Sequence, residues 1–136
     1  MFGRLFVYGT LLDADLRRAL LGPGARHLNE TTAALIGYRR VAQPGGTYPT
    51  LRRDPAARVD GSVLVGLDRT MEARLVAYES DEFLYARRPV QVAGRGPVMA
   101  GLFLPRLPPP AGPPWDLEDW RRRHKARALR RAAHWR

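Results

Sequence analysis

Leu5-Phe6-Val7-Tyr8-Gly9-Thr10-Leu11 is the stretch on which the rest of the chain turns. Its first four residues are apolar and β-prone, and the run stops abruptly at Gly9-Thr10, the signature of a strand entering a tight loop. Gly9 lets the backbone turn sharply, and successive N–H groups after such a turn are free to converge on an anion. A substrate carboxylate suits this loop; so does an ordinary strand-to-helix turn with Thr10 bonding locally.

Downstream, Asp13 caps a short helix to Leu21, with Leu16, Ala19 and Leu20 on one face and Gly22-Pro23-Gly24 as its stop. A second strand is expected over 33–41, bulged near Gly37, followed by a Gln43-Pro44-Gly45-Gly46 loop and a rigid turn at Tyr48-Pro49-Thr50-Leu51. A third strand is expected over 59–67, and a helix over 69–79 with Met71, Leu75 and Tyr78 at helical spacing. A hairpin of 89–92 and 98–104 turns around Gly94-Arg95-Gly96. With 13 Gly and 12 Pro in 136 residues, the chain is punctuated too often for a long bundle, while 45% hydrophobic residues suffice for a core.

Six prolines between 105 and 114 predict an extended, stiff connector, so the chain divides into a body over 1–104, the connector, and a C-terminal helix over 115–136. Asp116 caps that helix, which docks through Leu117, Trp120 and His124. Half of the +10 net charge sits in this last segment, where helical spacing aligns Arg123, Arg127, Arg130 and Arg131 in a basic face suited to nucleic acid or an acidic partner. A solvated amphipathic helix accounts for the same pattern, and nucleic acid is the less favoured partner. No window approaches a membrane span and no cleavable leader is visible, so a cytoplasmic protein without membrane association is expected. Zero cysteines exclude thiolate chemistry, and His27, His124 and His134 do not pair at metal-ligand spacing, so no metal is expected. Phosphate-loop, nucleophile-elbow and dinucleotide fingerprints are absent.

Two further places carry potential chemistry. Glu79 ends the 69–79 helix, where a carboxylate opposes the helix dipole; a raised pKa there would suit proton transfer near neutrality. Asp81 and Glu82 follow at once, which also allows a solvated acidic turn, and Glu82 is the competing candidate. Tyr85 and Arg87 alternate onto one face of an extended segment and could line the same wall as Glu79.

In order and spacing, Val7-Tyr8-Gly9-Thr10-Leu11, Gly37-Tyr38-Arg39, Tyr48-Pro49, Val59-Asp60-Gly61 and Leu75-Val76-Ala77-Tyr78-Glu79, with Tyr85 and Arg87 downstream, resemble the gamma-glutamylcyclotransferase-like (AIG2-like) family over residues 4 to about 104. The resemblance implies an α+β fold, a small mixed β-barrel-like domain flanked by short helices, with one cavity beside the first loop. It implies an enzyme that cyclises a gamma-glutamyl amine or amide to 5-oxoproline and frees the amine, without cofactor or metal. Carried over by position, Tyr8, Gly9, Thr10 and Leu11 hold the carboxylate of a small gamma-glutamyl substrate. Glu79 is the catalytic acid/base, and Tyr85 and Arg87 are cavity residues. The chain departs from the family at Val76, where members often carry an acid, at Ser80, where they often carry glycine, and at Leu12-Asp13-Ala14, which lacks an asparagine that many members show.

Overall fold

Strand β1 (Arg4–Val7) is buried on both faces, which is why its sequence is an unbroken apolar run instead of an alternating one. Leu5 and Val7 pack outward against Leu20, Leu21, Met71 and Leu75. Phe6, with Tyr8 just beyond the strand, packs among Leu35, Val63, Val90 and Leu102. In this computed structural model, which describes residues 3–133, β1 is one stave of a closed barrel. The order around it is β1, β3 (Pro49–Val65), β2 (Asn29–Ala42), β4 (Phe83–Val92) and β5 (Gly96–Pro105). The ring closes through a parallel contact between Leu5 and Gly101; the other pairings are antiparallel.

Helix α1 (Ala14–Leu21) starts at Asp13, whose carboxylate accepts from the Leu16 N–H at 2.9 Å, and ends at Gly22 in the left-handed region (φ 94°). Helix α2 (Arg69–Glu79) starts the same way, with Asp68 accepting from the Met71 N–H at 2.8 Å. Both helices cover the outer face of β1 and so carry the residues at their ends to the same rim of the barrel.

The β2–β3 hairpin is longer than the sequence suggests. The turn expected at Tyr48–Leu51 and the strand expected over 59–67 are one strand, Pro49–Val65. Arg52-Arg53-Asp54-Pro55 reads as loop because it is charged and holds a proline. The register explains its place: Ile36 faces Arg58 and Tyr38 faces Arg53, so 54–57 bulge out opposite Gly37, where the missing N–H of Pro55 breaks no ladder bond.

The C-terminal segment is two helices rather than one. Helix α3 (Leu117–Arg123), capped by Asp116, and α4 (Lys125–Ala132) meet at His124, whose φ of −130° breaks the run. Residues 134–136 of the expected helix lie outside the described residues. Trp120 and Ala132 are buried with Leu16 and Trp115 in a cluster of their own, while His124 is only half-buried. The fully buried carboxylate of Asp13 accepts from Arg121 Nε at 2.8 Å and lies 3.0 Å from Lys125 Nζ, tying both helices to α1. The connector lies across the hairpin end: Ala42 N–H donates to Pro113, Arg52 to Pro109 and Trp115 Nε1 to the Thr47 carbonyl.

Candidate active site

A cavity of about 580 Å³ opens where β1 runs into the first loop. Three segments distant in sequence meet there: Tyr8–Leu11, the end of α2 with Tyr78 and Glu79, and Ala128, Arg131 and Ala132 of α4. Tyr48 and Pro49, from the mouth of the β2–β3 hairpin, complete the wall.

The loop after β1 folds into a single 3₁₀ turn, with Leu12 N–H bonding the Gly9 carbonyl and Asp13 N–H bonding Thr10, both at 3.0 Å. Such a turn leaves its first N–H groups without an internal acceptor, and Gly9, Thr10 and Leu11 all border the cavity. Gly9 is required by packing: a Cβ there would stand 2.7 Å from Cγ of Pro49. Two side-chain bonds hold the loop from either side. Tyr8 donates its hydroxyl to the Phe103 carbonyl at 2.5 Å, and Thr10 Oγ1 and Tyr78 Oη share a bond at 2.9 Å. The guanidinium of Arg40 donates to the Tyr8 carbonyl at 2.8 Å while stacked over Trp115.

Glu79, half-buried at the last position of α2, borders the cavity beside this loop. Burial pushes its carboxyl up to about 7, and its charge in turn adds to the burial that raises the Tyr8 and Tyr78 hydroxyls. The helix end therefore places an acid that exchanges a proton near neutrality next to a loop suited to an anion. The backbone behind Glu79 takes the conformation a glycine would favour: Ser80 has φ 61° and ψ −169°. A serine thus stands where the resemblance expects a glycine, and the turn keeps the shape that favours one.

Of the residues singled out from the sequence, Tyr8, Gly9, Thr10, Leu11 and Glu79 are brought together around this cavity, and Glu82 stands at its edge with its carboxylate bonded to Gln43 Nε2 at 3.0 Å. Tyr85 and Arg87 are not in its wall. β4 leaves the rim at Phe83 and carries each later residue of that face farther away. Tyr85 instead lies over Gly101, its ring edge-on to Phe103 at 5.9 Å, and Arg87 is exposed. The expected basic face is also divided: Arg131 borders the cavity, while Arg123 stands 3.8 Å from Asp119.

Sequence reasoning missed Arg40, Tyr78 as a partner of Thr10, and the α4 wall. Helical spacing places Tyr78 on a core stripe, and nothing local tells that its hydroxyl reaches the first loop. Among the described residues, no group of three or more His, Asp or Glu side chains could hold a metal ion. Nor is any helix there long and apolar enough to cross a membrane.

Comparison with known proteins identifies the family and the fold. The family model described as gamma-glutamyl cyclotransferase, AIG2-like, matches residues 5–122. AIG2-like protein C of Arabidopsis thaliana is 30% identical over 126 residues, spanning 89% of this chain and 70% of that protein. The fold is that of a solution structure from Arabidopsis thaliana, with TM-score 0.71, 22% identity and 96% and 87% of the two chains covered. A structure titled gamma-glutamyl cyclotransferase superposes with TM-score 0.60 at 16% identity over 76% of this chain and 66% of that one. With the family model matching most of the chain and the barrel fold shared, the chain belongs to the AIG2-like gamma-glutamyl cyclotransferase family.

Proposed function

We propose that the protein cyclises a gamma-glutamyl amine or amide to 5-oxoproline and releases the free amine, with Glu79 as the general acid/base. The observation that carries this reading is the raised carboxyl of Glu79 on the wall it shares with the Gly9–Leu11 loop. As the carboxylate, Glu79 takes a proton from the substrate's α-ammonium group, freeing the nitrogen lone pair to attack the γ-carbonyl of the same molecule. A C–N bond forms and the carbonyl oxygen becomes an oxyanion. As the carbonyl re-forms, the C–N bond to the leaving nitrogen breaks and Glu79 returns its proton there. The extra proton left on the ring nitrogen passes through the freed Glu79 carboxylate to the released amine, which departs as an ammonium group. The attack is intramolecular, so a folded substrate pose supplies much of the acceleration and no protein nucleophile is needed. Backbone N–H groups of the loop serve the substrate carboxylate, orienting the glutamyl group and offsetting its charge. Membership in the family supports the same chemistry.

The test is 5-oxoproline release from gamma-glutamyl amino acids, gamma-glutamyl-lysine amines and glutathione, for the wild type beside Glu79→Gln. Release that collapses in a folded variant supports the reaction and its base together. Undiminished release in the variant moves the role to Glu82, and absence of release from every substrate overturns the proposal.

A further inference from the structure

A second concavity, of about 440 Å³, lies between the outer arm of the β2–β3 hairpin, the middle of β4, the end of β5 and the proline connector. Arg52, Arg53, Arg88 and Arg106 line it, and no acidic side chain does. Among the described residues none of the four stands in an ion pair with a carboxylate, although the nearby Arg39 finds Asp54 at 4.0 Å. Three of the guanidiniums are instead held by main-chain carbonyls. Arg52 donates to Pro109 at 2.8 Å, Arg88 to Arg87 at 2.8 Å and Arg106 to Asp81 at 2.7 Å. One N–H is used in each case, and a guanidinium carries five. The fourth, Arg53, sits 6.0 Å over the ring of Tyr38.

This is an unusual way to spend four cations. Surface arginines on a folded chain ordinarily face an acid or spread into solvent; converging on one cavity, they repel one another. Arginine forks match phosphate oxygens two bonds at a time, and forks already fixed by carbonyls lose little freedom on binding. The concavity falls in the size range of small-ligand sites, and buried Leu51, half-buried Leu104 and the connector prolines give it an apolar floor beside the charge.

We propose that this groove binds a small oligophosphate, free or esterified, at a site separate from the Glu79 cavity. The phosphates lie among the four arginines, and the organic part of an ester rests on Tyr38 and the apolar floor. The proposal does not depend on the cyclotransferase reading.

The test is calorimetric titration of the full chain with sodium tripolyphosphate, and separately with a nucleoside triphosphate free of divalent cations, at about 0.15 M salt to screen diffuse attraction. Expected is saturation at one molecule per chain, weakened about tenfold or more in Arg53→Gln/Arg88→Gln, while Arg123→Gln/Arg127→Gln/Arg130→Gln stays within about twofold of wild type. Both arginines of the first variant are exposed, so folding is not at stake. Tyr38→Leu separates the two ligand sources: weaker nucleotide binding with unchanged tripolyphosphate binding assigns the site to esters, and no change in either assigns it to the free anion. Equal weakening in both arginine variants, binding that never saturates, or a single-stranded oligonucleotide that displaces tripolyphosphate through the tail arginines would overturn the proposal in favour of general attraction by a +10 chain.

Discussion

Asp13 and Glu79 are acids at helix ends on the same side of the barrel, and the fold treats them in opposite ways. Asp13 sits at the start of α1, where the helix dipole favours a negative charge. Burial alone would raise it, but bonds from Arg121, the Leu16 N–H and Lys125 outweigh that and hold it below the usual carboxylate range. Glu79 sits at the end of α2, where the dipole opposes it, and burial pushes it up to about 7. Burial is thus shared, and the partners decide the outcome. A carboxylate surrounded by donors is a structural anchor, and one deprived of them is suited to moving protons.

The hardest way to break the comparison is Glu79→Gln, which removes the group proposed to move the proton and leaves its shape. Release of 5-oxoproline should fall by about 10²–10⁴-fold, the range general acid/base catalysis supplies, with circular dichroism unchanged. Asp13→Asn attacks the other member. It leaves Arg121 and Lys125 without their buried acceptor and should cost about 3 kcal/mol in urea unfolding, since both cations keep some contact with water. Activity should drop as a secondary effect, because the loosened α4 carries part of the cavity wall.

Changing pH sharpens the contrast without mutation. For Asp13 the folded pKa is depressed, so its stabilisation is present above the ordinary carboxylate range and lost as pH falls through the folded value. For Glu79 the folded pKa is raised, so the folded state holds its proton longer than the unfolded chain. Stability attributable to Glu79 therefore falls as pH rises from 4.5 to about 7 and stays lower above. In thermal melts at pH 8, Glu79→Gln should exceed wild type by about 2 kcal/mol, allowing for the water that reaches the open cavity, and the two should converge by pH 4. The wild-type kcat/KM should rise through a midpoint near pH 7 and level off above it, since the proposed base is the carboxylate.

How much of this was visible in the sequence depends on how local each cause is. The bounds of α1 follow from Asp13 and the glycines after Leu21, and the span of α2 from Met71, Leu75 and Tyr78 at helical spacing, so both could be read directly. The join of 49–58 to 59–65 could not, because the pairing that makes a charged, proline-containing stretch into strand comes from β2, across the hairpin. The site divides along the same line. Glu79 and the Tyr8–Leu11 loop carry their own signals in dipole and turn chemistry. Arg40 over Trp115, the Thr10–Tyr78 bond and the α4 wall arise from contacts 68 residues or more apart, or from stacking that no periodicity encodes. Tyr85 and Arg87 show the reverse error: alternation places them correctly on one face of β4, but the face departs from the rim after Phe83.

Ser80 offers the finest adjustment to the Glu79 side of the comparison. Among the described residues it alone has a positive φ without being glycine, and its ψ of −169° puts it where a Cβ is poorly tolerated. Its N–H nevertheless closes α2 on the Val76 carbonyl, so the turn is held by that bond against the preference of the side chain. Relieving the strain with Ser80→Gly should raise stability by about 1 kcal/mol in urea unfolding, the entropy of the added glycine in the unfolded chain removing part of the gain. Because the backbone already has the glycine conformation, the carboxyl of Glu79 should not move, and the midpoint of the kcat/KM profile should stay near pH 7. A midpoint that shifts in Ser80→Gly would mean that the strained turn itself sets the position of Glu79, making the serine a tuning element of the site and not a tolerated substitution.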